Sequence, residues 1–167
     1  MFSRKRRESA WLGAGAGLIG GLAGSFAIGA FHNFWAKKMR SSIVQKGTQS
    51  TERAADRLSR GVLGHGMDQP TKHKAASAIH FAFGSLMGAA YGAAVSANRN
   101  VGMALGVPFG ATVYAGAHAA AVPALGLSEP PTKSRPREEA GEFLGHLVYG
   151  VVTDLTRRAV IRAARAA

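Results

Sequence analysis

The stretch Gly84-Ser85-Leu86-Met87-Gly88-Ala89-Ala90-Tyr91-Gly92 puts glycine at every fourth position inside a charge-free run from 75 to 97. That spacing gathers the glycines on one helix face, bare of side chains, which a second helix can approach to backbone contact. The same spacing recurs at Gly13/Gly17/Gly21 and Gly102/Gly106/Gly110. In a soluble helix each glycine loses about 0.5–1 kcal/mol to alanine. In lipid, where helices have no hydrophobic attraction for one another, close packing offsets that loss. Three such rows in apolar stretches predict an all-α integral membrane protein, a four-helix bundle with glycine-zipper helix contacts.

A mean hydropathy of +0.02 and 18% charged residues describe a soluble chain on average. The average hides segregation. No charge occurs from 10 to 36, from 75 to 97 or from 101 to 128, and a bilayer core needs ~20 apolar residues. The predicted helices run over about 11–35, 75–97, 101–121 and 138–155, in one membrane domain with a polar connection at 37–74. The fourth has a short apolar part, 143–152, which snorkelling of Arg157 and Arg158 would lengthen; lying in the membrane plane is the alternative. Asn98-Arg99-Asn100 reads as a tight turn that pairs the second and third helices antiparallel through Gly84, Gly88 and Gly92. Pro108 reads as a kink. Within the connection, 51–63 suits a short amphipathic helix, on the membrane surface or in solvent.

The net charge of +12 raises the question of nucleic acid. The cations instead flank the apolar stretches: Arg4 to Arg7 before the first, Lys37, Lys38 and Arg40 after it, and Arg157, Arg158, Arg162 and Arg165 in the tail. Such placement suits anionic lipid headgroups and topology control, and no interleaved aromatics offer base stacking. The expected partners are therefore the lipid bilayer and its anionic headgroups, with the glycine faces also suited to a second copy or another membrane protein. Cysteine is absent, which removes disulfide and thiolate chemistry. The first apolar run is longer than a signal-peptide core and has no clean cleavage site, so it reads as an uncleaved helix.

Four of the six histidines lie in the apolar segments: His32, His80, His118 and His146. In antiparallel helices they fall ~5–12 Å below the membrane face carrying the 37–74 connection, at 1.5 Å per residue. His80 extends the Gly84 row by one i,i+4 step, His118 follows Gly110 through Tyr114, and Glu142, His146, Gly150 and Asp154 form a row on the last helix. Ionisable groups in lipid face the bundle interior. The layer His80, His118, His146 and Glu142, with His32 at its edge, is thus the expected intramembrane polar cluster. Its readings are interhelical hydrogen bonding, a protonatable site, or a metal site through imidazoles and Glu142.

Glu142-Phe143-Leu144-Gly145-His146-Leu147-Val148-Tyr149 followed by Arg157-Arg158 resembles the last helix of the YagU-like inner-membrane proteins of bacteria. Val122-Pro123-Ala124-Leu125-Gly126-Leu127 with Pro130-Pro131, and Ile79-His80-Phe81 with Gly84 and Tyr91-Gly92, are similar to its third and second helices. The resemblance covers about 75–158. It implies a multi-pass inner-membrane protein, with His80, His118 and His146 at family positions and a loose link to acid tolerance; it supplies no reaction. The arginine clusters Arg4–Arg7 and Arg157–Arg158 place both termini in the cytoplasm. The leading functional expectation is a transport, permeation or pH-responsive element built on the His layer, partly wet. A structural subunit of a membrane complex is the second, and a membrane metalloenzyme the third. No nucleophile–base pair or phosphate loop supports ordinary enzymology.

Overall fold

In the computed structural model, which describes residues 9–167, α1 (Ala10–Met39) begins where the Ser9 hydroxyl accepts the Leu12 N–H at 3.1 Å. That hydroxyl satisfies one of the orphan donors of the first turn. Arg40, in the left-handed region at φ 48°, ends the helix. The Arg4–Arg7 cluster lies outside the described residues. Then follow α2 (Ile43–Leu63), α3 (Gln69–Ala97), a 3₁₀ stretch (Arg99–Gly106), α4 (Val107–Val113), a π-helical stretch (Tyr114–Ala121), α5 (Val122–Ala124) and α6 (Pro136–Ala166). No strand occurs among the described residues. Three helical segments are long and apolar enough to cross a membrane: Ala10–Met39, Gln69–Ala97 and Arg99–Ala124. Leu18, Ile19, Leu22 and Phe26 on α1 and Phe83 and Leu86 on α3 are exposed, a surface that suits an apolar medium.

Taking the broken third segment as one, there are five helices where four were expected. The extra one is α2, which fills most of the polar connection. Pro70 stands in the first turn of α3, where its missing N–H leaves no hydrogen bond unmade.

The glycine rows do not pair as the Asn98–Asn100 turn suggested. Gly84, Gly88 and Gly92 face α1 rather than the third segment. A Cβ on Gly88 would lie 2.6 Å from the Gly21 Cα and 2.7 Å from its nitrogen, and Cβ atoms on Gly17 and Gly92 would collide with the carbonyl oxygens of Gly88 and Gly13. The pairing is antiparallel. The other side of α1 packs on α6: a Cβ on Gly20 would stand 2.5 Å from the Thr153 carbonyl oxygen, and one on Gly24 would stand 2.7 Å from the Tyr149 ring. Gly106 and Gly110 face α6 too, against the carbonyl oxygens of Gly150 and His146. The helices therefore pack in the order α3, α1, α6, α4, and α1 lies between α3 and α6.

The reason is a break in the chain before α4. Ala104 and Leu105 adopt φ 51° and 52°, and Gly106 follows at φ 77°. Three successive left-handed residues turn the chain from α3 towards α6. Pro108 makes no kink; it occupies the first turn of α4. The third segment still touches α3 through Tyr91 and Phe109, whose rings stack 4.3 Å apart.

α2 lies across one end of the bundle. Lys46 and Ser42 bond Glu138 at the start of α6, at 2.5 and 2.7 Å. Arg53 donates to the Leu127 carbonyl at 3.2 Å and Arg57 to that of Leu125, covering the orphan carbonyls after α5. Asp56 bonds Arg60 at 2.9 Å, the Met67 N–H at 3.3 Å and Lys72 of α3 at 3.3 Å. Those donors, Arg60 foremost, hold the Asp56 carboxyl down at about 2. The stretch 51–63 is thus the second half of a longer helix fastened at both ends.

Candidate functional site

His32 is placed by a small residue, and Tyr114 and His118 by a helix irregularity. On α1, His32 lies over Gly145 of α6; a Cβ on Gly145 would strike Nε2 and stand 2.8 Å from Cδ2. Trp35, one turn on, lies over Gly141 in the same way and donates its indole N–H to the Arg137 carbonyl at 2.9 Å. On α3, His80 brings Nε2 to 3.4 Å from the Ser25 carbonyl of α1. On α6, His146 holds Nδ1 at 2.7 Å from the Glu142 carbonyl. A carbonyl only accepts, so that nitrogen carries the proton.

The π-helical stretch carries Tyr114 and His118. It closes with the Val122 N–H on the Ala117 carbonyl, five residues back. Pro123 comes next and has no N–H to continue an α-helical ladder. Wider turns of this kind accompany functional sites elsewhere. Here the stretch stacks Tyr114 on His118 with ring centres 5.3 Å apart and sets His118 at 5.8 Å from His146.

The groups form a run. His32 Nε2 stands 3.6 Å from Glu142 Oε2, and the same oxygen is 3.8 Å from His118 Nδ1. His118 Nε2 lies 3.1 Å from Glu139 Oε1, to which the Tyr114 hydroxyl donates at 2.5 Å. The two contacts of Glu142 are too long for hydrogen bonds. His32 Nε2 is buried without a hydrogen-bond partner, and Glu142 is only 8% exposed.

His32, His80, His118, His146, Glu139 and Glu142 all line one cavity of about 530 Å³. Its walls towards the bundle end come from α2, including Lys46 and Arg53, and from Glu138 and His73. His73 is paired with Glu52 at 3.3 Å. Deeper in the bundle Tyr91, Phe109 and Tyr149 make an aromatic layer, with Phe109 at 5.7 Å from Tyr149 and the Tyr149 hydroxyl on the Gly84 carbonyl at 2.6 Å. Among the described residues no group of three or more His, Asp or Glu is arranged to hold a metal ion. The metal expectation for the layer finds no ligand set there.

Glu139 and Tyr114 complete the run, and the sequence reading did not single them out as site residues. Glu139 sits outside the apolar part of the last helix. Its signal is spacing: 139, 142 and 146 share a helix face. Two turns beyond His146 on α6, Asp154 is fully buried and bonds Arg157 at 3.3 Å and Arg158 at 2.7 Å. Arg157 is 5% exposed. It turns inwards and does not snorkel, because the buried carboxylate offers it a partner that a lipid-facing path does not. Arg158 also donates to the Gly102 carbonyl at 2.7 Å.

The chain belongs to the family described as "Protein of unknown function (DUF1440)", whose model matches residues 67–155. No curated protein and no solved structure matches the chain. The matched span carries His80, His118, Glu139, Glu142 and His146; His32 and α2 lie before it.

Proposed function

We propose that this chain is a multi-pass protein of the bacterial inner membrane that binds and releases protons at its His/Glu layer, and so responds to pH on one side of the membrane. The observation that carries this reading is the run His32, Glu142, His118, Glu139 and Tyr114, contiguous within 3.8 Å and open to a cavity. Imidazole is the side chain that titrates between pH 5 and 8, and here it faces carboxylates whose charge follows it. A pH-responsive element is favoured over a permeation path because the aromatic layer of Tyr91, Phe109 and Tyr149 lies between the cavity and the Asp154 cluster. With both termini cytoplasmic, as the flanking arginines favour, the cavity faces the periplasm and meets external acid. In this reading the bare faces of α1 and α3 form a glycine zipper that holds the layer in register.

The test is a ¹⁵N-histidine NMR titration of the full chain in nanodiscs. His32 and His118 are expected to titrate in a coupled manner, and Glu142→Gln to move the midpoints of both. Midpoints that ignore both Glu142→Gln and Glu139→Gln sink the proposal. The chain has no cysteine, so Ser50→Cys labelled with an impermeant maleimide from outside intact cells tests the orientation.

A second reading, a structural subunit of a membrane complex, draws on Gly15, Gly29 and Gly116. Nothing lies within 4 Å of a Cβ at any of them, so their bare surface serves no contact among the described residues. Crosslinking from these three positions that recovers no second polypeptide would remove that reading.

A further inference from the structure

We propose that the cavity takes a small primary ammonium compound, whose –NH₃⁺ group sits between Glu142 and His32, one helical turn from Glu139; this rests on the reading of the layer as an open site. Of the cations lining the cavity, Lys46 is engaged by Glu138 at 2.5 Å and Arg53 by the Leu127 carbonyl at 3.2 Å. Glu139 and Glu142 meet neither. Their partners are His32, His118 and the Tyr114 hydroxyl. A carboxylate held largely out of water without a cation is expensive, and the contacts of Glu142 with His32 and His118 are both longer than hydrogen bonds.

The geometry around Glu142 points to a donor rather than to a bare ion. His32 Nε2 is buried, without a partner, 3.6 Å from Glu142 Oε2. With its proton on Nδ1, that nitrogen is an acceptor awaiting an N–H. An ammonium group carries three donors and no acceptor. Glu142 and His32 Nε2 offer it two acceptors 3.6 Å apart, with Glu139 on the far side of His118, and among the described residues no lysine or arginine bonds either carboxylate.

The remaining space suits an organic body. The cavity of about 530 Å³ is within the range of small-molecule sites. Its walls include Ile28, Val44, Phe81 and Phe83, apolar groups for an alkyl or aryl chain. Proton and ammonium would compete for the same carboxylates, so occupancy falls on acidification.

The experiment is isothermal titration calorimetry of the full chain in nanodiscs at pH 8 with n-butylammonium chloride. Butan-1-ol, sodium butyrate, tetramethylammonium chloride and sodium chloride are the comparisons. Saturable binding of butylammonium alone is expected, weakened about tenfold or more in Glu142→Gln, as loss of a charge-assisted hydrogen bond requires. Glu52→Gln, which removes a carboxylate outside the cavity, should bind as the parent does. Absence of saturation with butylammonium, equal binding of tetramethylammonium or sodium, or unweakened binding by Glu142→Gln each overturns the proposal. If the histidines still titrate together in the NMR experiment while butylammonium fails to bind, the ammonium site falls and the proton-binding reading stands. If the coupled titration is also lost, both fall.

Discussion

The imidazole of His32 rests on the bare Cα of Gly145, and this contact sets the 3.6 Å separation between His32 and Glu142 one turn earlier on α6. A methyl group on Gly145 would collide with Nε2 and stand 3.2 Å from Ile28 Cγ1. Gly145→Ala should therefore leave α6 helical, since alanine gains about 1 kcal/mol over glycine in a helix interior. It should nevertheless swing His32 away from the carboxylate. The ¹⁵N titration of His32 should change. An unaltered His32 titration would show that Gly145 is not what positions the ring.

Gly88 and Gly15 make a matched pair of tests for the contact between α1 and α3. A Cβ on Gly88 would lie 2.6 Å from the Gly21 Cα, whereas nothing lies within 4 Å of one on Gly15. Gly88→Leu is expected to destabilise by about 1–3 kcal/mol or more through overpacking. Gly15→Leu should be neutral or slightly stabilising. Unfolding in mixed detergent, followed by helical circular dichroism, reads the difference. Equal midpoints for the two variants contradict the packing described.

Asp56 gives the fold a pH dependence away from the bundle. Its carboxyl is held at about 2, so its folded value lies below the unfolded one near 3.9. The stabilisation is fully present above the unfolded value and is lost as pH falls through the folded one. Between pH 5 and pH 2 the link between α2, Met67 and Lys72 should loosen. Amide exchange over 60–72, corrected for intrinsic rates, should rise across that window in the parent chain. In Asp56→Asn it should already be fast at pH 5; a variant that keeps the parent's pH profile would remove Asp56 as the cause.

The strained turn before α4 should be improvable. Ala104 sits at φ 51° in a region that costs an L-residue about 1–2 kcal/mol and glycine little. Ala104→Gly is expected to stabilise the protein by about 1 kcal/mol in the same unfolding assay. A clear loss of stability would mean that the methyl group matters more than the backbone angle.

The charge-free runs made the apolar helices legible, because exclusion of charge over ~20 residues is a constraint that sequence displays directly. Which glycine row meets which was not legible. The rows at Gly84 and Gly102 look alike in sequence, and the short turn between them implied that they meet. The left-handed residues Ala104 and Leu105 decide otherwise, and neither is a residue type that announces such a backbone. The candidate site divides the same way. The histidines show themselves by being polar in apolar runs. Glu139 does not, because it stands among Arg137, Glu138 and Glu142 in a segment that reads as ordinary helix start. The π-helical turn that aims Tyr114 and His118 depends on how the segment meets Pro123, and no local preference separates it from an α-helix through the same alanines.

The central place of α1 has a consequence for biogenesis. Its face towards α3 can be covered early, but the face at Gly20 and Gly24 belongs to α6. The roughly one hundred residues between Met39 and Pro136 take about 5–20 s to translate at ~5–20 residues per second. For that interval α1 stands with one glycine face open to whatever surrounds the nascent chain. A nascent chain stalled before Pro136 should expose this face to crosslinking from Gly20, and a full-length chain should protect it.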